Sequence, residues 1–126
     1  MYRFDLSGMR SKRILLVDDS VVARLIMLRY LESRYPDWEV LQASSAKEAL
    51  DVLKKTDCDL MSVDYNMPDV TGMELIEEIR KTNDHIKIAM LTANIQNTLR
   101  ERVEGKVALF LEKPITCEVV EKIMKL

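Results

Sequence analysis

Short apolar runs along the chain alternate with longer stretches in which apolar residues recur every three or four positions. A short apolar run bounded by polar residues predicts a buried strand, whereas a spacing of three or four predicts a helix with one apolar face. Four of these runs are followed within two residues by candidate site residues, which are Asp18, Asp64, Thr92 and Lys113. The predicted strands are Arg13–Val17, Glu39–Ala43, 60–63, 86–91 and 107–111.

The first two helices have recognisable starting signals. Ser20 is the predicted N-cap of the first helix, which stops before Pro36 because proline interrupts helical hydrogen bonding. Ser45 and Glu48 have the spacing of a capping box, in which Ser45 accepts from the backbone N–H of Glu48 and the Glu48 side chain reaches back. The apolar positions that predict the first helix are Val21, Val22, Leu25, Ile26, Leu28 and Tyr30.

Three further helices are predicted near Gly72, over residues 95–104 and after Thr116, which is the predicted N-cap of the last helix. Five strands that alternate with five helices predict an α/β fold, because two parallel strands need a crossover and a helix supplies it. We therefore expect a doubly wound, five-stranded parallel sheet with helices on both faces. In such sheets, ligands bind at the carboxyl ends of the strands.

Length, composition and net charge limit the kinds of protein that this chain can be. A chain of 126 residues with 48% hydrophobic residues suits one domain. A net charge of −2 disfavours direct nucleic-acid binding. No stretch has the length and apolarity of a signal peptide or a membrane span, and the two cysteines lack the spacing of a zinc site. We expect a cytoplasmic protein without a membrane partner.

An acidic cluster is predicted at the carboxyl edge of the sheet. Asp18 and Asp19 follow the first strand and Asp64 follows the third, while Thr92 and Lys113 follow the last two. Adjacent carboxylates raise one another's pKa unless a cation lies between them. Because the cluster contains only oxygen ligands, it suits Mg²⁺.

Phosphoryl transfer is the chemistry that this cluster fits. Asp64 is the candidate nucleophile, because a carboxylate is ionised at neutral pH and can form an aspartyl phosphate. Lys113, Thr92 and the metal would neutralise the oxygens of the phosphoryl group. Asp18-Asp19 alone also fits a charge pair at a helix N-terminus, favoured by the helix dipole. His85, the sole histidine, is expected to be a surface residue.

The motifs together resemble the receiver domain of two-component response regulators, of the CheY-like type. They are Asp18-Asp19, Asp64 followed by Asn66-Met67-Pro68-Asp69 and Gly72, Thr92-Ala93, and Lys113-Pro114. The resemblance implies a flavodoxin-like (βα)5 fold and transfer of a phosphoryl group from the phosphohistidine of a histidine kinase to Asp64. It also implies direct Mg²⁺ ligation by Asp19, Asp64 and the backbone carbonyl of Asn66, with Asp18 bound through water.

Further roles follow from the same resemblance. Thr92 and Phe110 match the family's switch pair, and Asn66 and Asn94 match positions that tune the lifetime of the aspartyl phosphate. Partner binding would change on the face formed by the predicted helix over 95–104, the fifth strand and the last helix. The chain would catalyse only its own phosphorylation and dephosphorylation. The expected partners are a sensor histidine kinase or phosphotransfer protein and an output protein or domain.

Several alternatives stay open. Residues 1–11 are an N-terminal extension, a candidate for disorder, and residues 12–126 are the expected receiver domain. Many receivers have a small Gly-Ala segment where this chain has residues 104–107. The helix predicted over 95–104, which precedes this segment, therefore departs most from the family pattern.

An aspartate-nucleophile phosphatase would show an Asp-x-Asp pair and a cap insertion, and neither is present. A docking module without phosphorylation would lack the acidic pair, Asp64 or Lys113. The sequence fits both a stand-alone regulator and a receiver from a longer protein, and both a monomer and a phosphorylation-dependent dimer.

Overall fold

The computed structural model describes residues 11–93 and 105–126, and these ranges contain five strands and four helices. Residues 1–10 of the predicted extension and the helix predicted over 95–104 lie outside them. The strands are β1 (Arg13–Val17), β2 (Glu39–Ala43), β3 (Leu60–Asp64), β4 (Lys87–Thr92) and β5 (Leu109–Glu112). The helices are α1 (Val21–Arg34), α2 (Ala46–Lys55), α3 (Gly72–Arg80) and α4 (Cys117–Met124).

All five strands are parallel, in the order β2-β1-β3-β4-β5. This order makes β1 and β3 direct neighbours although a complete strand and two helices separate them in the chain. Their register pairs Val17 with Val63, so Asp18, which follows β1, emerges beside Asp64, the last residue of β3. The predicted flavodoxin-like parallel sheet is confirmed, and its order brings the acidic strand ends together.

The sheet lies between two apolar layers. On one face, α2 and α3 pack against the strands through residues such as Ala49, Ile76 and Ile79. On the other face, α1 and α4 pack through residues such as Met27 and Ile123. Because both faces are covered, β1 and β3 are buried along their whole length, as continuous apolar runs predict.

Helix α1 is confirmed, but several residues whose spacing predicted it face solvent. Met27 and Leu31 are the buried residues of this helix. Apolar residues occur on more than one side of α1, so the pattern predicts the helix without showing which side meets the sheet. The exposed residues are Val21 (67%), Val22 (66%), Leu25 (42%) and Ile26 (47%).

Side-chain caps fix where the helices begin. Ser20 and Ser45 accept hydrogen bonds from Ala23 and Glu48, as predicted, and Thr116 accepts from Val119. Each such cap contributes about 1 kcal/mol. The reciprocal half of the predicted capping box is wrong by one residue. The Glu48 carboxylate accepts from the backbone N–H and the hydroxyl of Ser44 instead of from Ser45. In the described ranges, no helix is long and apolar enough to span a membrane.

Candidate functional site

Three of the predicted site residues converge at the carboxyl edge of the sheet. Asp18 follows β1, Asp64 ends β3, and Lys113 follows β5. The Lys113 Nζ lies 3.0 Å from Asp18 Oδ2 and 3.3 Å from Asp64 Oδ1. The lysine therefore bridges two buried carboxylates that come from neighbouring strands.

Both the backbone and the side chain of Asp18 form hydrogen bonds within the protein. The backbone N–H donates to the Ala43 carbonyl at 3.1 Å, which attaches the end of β1 to β2. Oδ1 accepts from the Ser20 N–H at 2.9 Å, and Oδ2 accepts from Lys113. The backbone carbonyl accepts from the Arg24 guanidinium. Asp18 is 5% exposed, so these bonds hold it in one orientation.

The three carboxylates are close enough to share one cation. Asp18, Asp19 and Asp64 each offer an oxygen, and these oxygens all lie within 4.8 Å of one another. Asp19 is exposed, whereas the other two are buried. Oxygen ligands with one side open to water suit Mg²⁺, which keeps several of its water ligands. The residues present therefore fit a magnesium ion.

Burial and charge shift the pKa of Asp64 and that of Lys113. Burial, and then the nearby charge of Asp18, raise the pKa of Asp64 to about 6, against the opposing effect of Lys113. Burial alone would lower the pKa of Lys113, but its hydrogen bonds and ion pairs with Asp18 and Asp64 outweigh burial and raise it. At pH 7 the lysine is charged and Asp64 is mostly ionised, so the site contains an ionised carboxylate beside a cation.

The backbone around Asp64 is tightly packed. The Tyr65 N–H donates to the Leu91 carbonyl at 2.8 Å, and the Gly72 N–H donates to the Tyr65 carbonyl at 2.7 Å. A Cβ on Gly72 would lie 2.6 Å from the Asp64 carbonyl oxygen and 2.9 Å from the Tyr65 Cα. Only glycine lets α3 begin this close to the end of β3.

The predicted switch and tuning residues lie around this centre. Thr92 is buried at the end of β4, and its carbonyl accepts from the Lys113 N–H at 2.7 Å. Phe110 is half-buried against the core on the α2 and α3 side and pairs in register with Met90. Asn66 is exposed, with its N–H 3.4 Å from Asp64 Oδ1. Asn94 lies outside the described residues. The roles of these four residues stay predictions.

Sequence reasoning missed two side chains that hold the loops of the site. Arg24, on α1, donates to the Asp18 carbonyl and to Gln42. Asp69 accepts from the Ala46 and Lys47 N–H groups at 3.3 and 3.2 Å, which ties the loop after Asp64 to α2. The only sequence signal for Arg24 is a cation in the first turn of a helix, where the dipole disfavours it.

A separate cavity of about 640 Å³ opens at the opposite edge of the sheet, lined by residues that include Trp38, Asp59 and His85. None of the predicted site residues lines it. His85 is exposed beside Asp84, with 3.2 Å between its Nε2 and Asp84 Oδ1, so the surface position predicted for it is confirmed. The convergent charged groups, and not this cavity, mark the candidate functional site.

The chain is similar to known proteins along most of its length. It matches the family model described as the response regulator receiver domain over residues 14–125. A segment of the sensor protein EvgS from Escherichia coli O157:H7 is 35% identical over 109 residues, which are 86% of this chain and 9% of that protein. The chain spans less than half the length of the first curated relatives that it matches.

Solved structures resemble the fold closely. A CheY-like response regulator receiver domain protein from Methanospirillum hungatei JF-1 has a TM-score of 0.83 and 28% identity, covering 90% of this chain and 91% of that one. The response regulator protein TrrA from Thermotoga maritima, solved in complex with Mg²⁺ and BeF, has a TM-score of 0.79 and 30% identity, covering 90% of this chain and 97% of that one.

Proposed function

Because the chain belongs to the response regulator receiver domain family, we propose that it is a phosphorylation-dependent switch that accepts a phosphoryl group on Asp64. The observation that carries this proposal is the contact of Lys113 Nζ with both Asp18 and Asp64 at the carboxyl edge of the sheet. If Lys113 served only to stabilise the fold through a salt bridge, one carboxylate partner would be enough. Two buried carboxylates with a third beside them match a site built for a metal and a phosphoryl group.

The acceptor step follows from the state of Asp64. Its carboxylate is mostly ionised at pH 7, so an oxygen can attack the phosphorus of a phosphohistidine without a general base. The new O–P bond forms as the N–P bond breaks, and the imidazole leaves with the electron pair of that bond. Lys113 is placed to pair with the transferred oxygens, because it already contacts Asp64 at 3.3 Å.

Magnesium would be held by Asp19, Asp64 and the backbone carbonyl of Asn66, with Asp18 bound through water. When bound, it supplies positive charge that stabilises the phosphoryl oxygens during transfer. The carboxylate cluster in this chain and the Mg²⁺ and BeF in the Thermotoga maritima relative support this assignment. The resemblance to that family supplies the division between direct and water-mediated ligands.

Coupling to the rest of the domain would run through the switch pair Thr92 and Phe110. Thr92 pairs in register with Glu112, and Phe110 pairs with Met90, so Thr92 and Phe110 lie one step apart on the same face of the sheet. Movement of the Thr92 hydroxyl toward the phosphoryl group would leave room for the Phe110 ring to turn inward. Partner binding would then change on the face that contains β5 and α4 and, by resemblance to the family, the helix predicted over residues 95–104.

The proposed donor is a sensor histidine kinase or a phosphotransfer protein, in keeping with the sensor and regulator proteins among the relatives. Asp64 is 4% exposed, so a donor must cover the rim of the site to reach it. The exposed apolar side chains at the start of α1 begin two residues after Asp19 and give such a protein a surface to contact. Outside its own phosphorylation and dephosphorylation, which Asn66 and Asn94 would tune, the domain acts by binding an output partner.

The test of the switch is a comparison of amide NMR spectra with and without beryllofluoride and Mg²⁺, which together mimic the phosphoryl group. We expect shifts at Asp64 and also at Thr92, Phe110 and α4. The same additions to Asp64→Ala should leave the spectrum unchanged. Shifts confined to the immediate neighbours of Asp64, with Phe110 and α4 unmoved, would contradict the proposed switch.

A further inference from the structure

Arg24 links three elements beside the acidic cluster. It lies in α1, where its backbone N–H bonds to the Ser20 carbonyl at 3.1 Å. Its Nη1 donates to the backbone carbonyl of Asp18, and its Nε donates to Gln42 Oε1 at 3.1 Å. One half-buried guanidinium therefore joins the end of β1, the start of α1 and the end of β2.

The Asp18 carbonyl belongs to the peptide group that connects Asp18 to Asp19. A bond to that oxygen restrains the plane of the peptide, and this plane sets the direction in which the Asp19 side chain leaves the backbone. Asp19 is exposed, whereas Asp18 is held by Ala43, Ser20 and Lys113 as well. Restraint of the connecting peptide thus matters most for Asp19.

We infer that Arg24 is a positioning residue, which holds the Asp18–Asp19 peptide so that the Asp19 carboxylate converges with those of Asp18 and Asp64 on one cation. This inference rests on the proposed function, because it concerns the magnesium site of the phosphorylation centre. Arg24 does not touch the cation in this role. It acts through the backbone of the acidic pair.

Arg24 can affect Mg²⁺ affinity in two ways, by positioning the metal ligands and by its own positive charge, and these two effects have opposite signs. A guanidinium close to a cation site repels the cation, so removal of the charge alone would tighten Mg²⁺ binding. Loss of a group that orients metal ligands weakens binding, commonly by tenfold or more. The direction of the change in affinity therefore separates the two effects.

The experiment measures Mg²⁺ affinity by calorimetry for the unmodified protein, R24Q, R24K and R29Q. Arg29 is exposed on the same helix, so R29Q removes the same charge away from the acidic pair. We expect R24Q to weaken Mg²⁺ binding by about tenfold and R29Q to change it by less than about twofold. R24K keeps the charge, but a single ammonium replaces the planar guanidinium that reaches Asp18 and Gln42, so its Mg²⁺ binding should also be weaker than that of the unmodified protein.

Mg²⁺ binding by R24Q that is equal to or tighter than that of the unmodified protein would overturn the inference. Amide spectra of the metal-free proteins provide a second readout, in which R24Q should shift Asp19 and Ser20 and R29Q should not. If the unmodified protein bound no Mg²⁺, the proposed function would fail. The metal-free spectra would still decide the role of Arg24, because unshifted Asp19 and Ser20 in R24Q would overturn it.

Discussion

At the scale of single residues, Asp64 combines burial with a neighbouring charge of the same sign. Both effects disfavour its ionised form in the folded protein and raise its pKa to about 6, compared with about 3.9 in an unfolded chain. The ionised carboxylate therefore destabilises the metal-free fold at pH 7. The proposed roles of Asp64 as nucleophile and metal ligand both require this charge.

Asp64→Asn should stabilise the metal-free protein at pH 7. One pKa unit corresponds to about 1.4 kcal/mol, so we expect a gain of about 1 to 3 kcal/mol in the free energy of unfolding. The penalty in the unmodified protein is present above pH 6. It declines as the pH falls through 6 and is absent below about pH 4.

Urea unfolding in the presence of a chelator, at pH 7 and at pH 4.5, measures this effect. The difference between the variant and the unmodified protein should shrink at the lower pH. Asp19→Asn is the matched control, because it removes an exposed carboxylate from the same cluster. A difference for Asp64→Asn that is the same at both pH values would show that its ionisation does not oppose folding.

The site residues that could be predicted from the sequence differ in a physical way from those that could not. Asp18 and Asp64 come directly after an apolar run and Lys113 comes two residues after one, so the alternation of strands and helices predicted that they lie at one edge of the sheet. Arg24 acts on Asp18 and Gln42, and the contact with Gln42 crosses 18 positions of the chain. No local pattern predicts a contact that depends on the packing of a helix against two strand ends.

At the scale of elements, the junction of β3 and α3 is set by Gly72. Gly72→Ala places a methyl group 2.6 Å from the Asp64 carbonyl oxygen, so α3 or the end of β3 must shift. We expect a loss of about 1 to 3 kcal/mol in stability, as for other overpacked sites, together with weaker Mg²⁺ binding because Asp64 moves.

Gly105→Ala is the matched control. Gly105 has a φ of +81°, but a Cβ there would meet nothing within 4 Å. Its substitution should destabilise the protein by about 1 kcal/mol through backbone strain alone and leave Mg²⁺ affinity unchanged. Urea unfolding and calorimetry of both variants give the comparison. Equal effects of the two substitutions on Mg²⁺ affinity would contradict the role given to Gly72.

Element types were more predictable than the faces that they bury. The N-caps Ser20, Ser45 and Thr116 were correct because a cap involves only neighbours in sequence. The buried side of α1 was not predictable, because apolar residues surround that helix and the buried stripe of Met27 and Leu31 depends on where the sheet lies. The shift of the Glu48 contact from Ser45 to Ser44 likewise depends on the conformation at the end of β2.

At the scale of the whole molecule, the strand order creates the site. The position of β1 beside the central strand β3 places Asp18 next to Asp64, while β4 and β5 bring Lys113 from the far end of the chain. The end of β2 and the start of α2 brace both acidic loops, through Arg24 to Gln42 and through Asp69 to Ala46 and Lys47. Alternating strands and helices predicted the parallel sheet, but these braces appear only in the folded structure.

The central claim is that Asp64 alone accepts a phosphoryl group and requires Mg²⁺ to do so. The most direct measurement is to treat the protein with acetyl phosphate, reduce any aspartyl phosphate with borohydride, and locate the resulting homoserine by peptide mass spectrometry. We expect homoserine at position 64 when Mg²⁺ is present, and none with a chelator or in Asp64→Ala. Homoserine at Asp18, Asp19 or Asp69, or unchanged Asp64 despite Mg²⁺ and acetyl phosphate, would contradict the account.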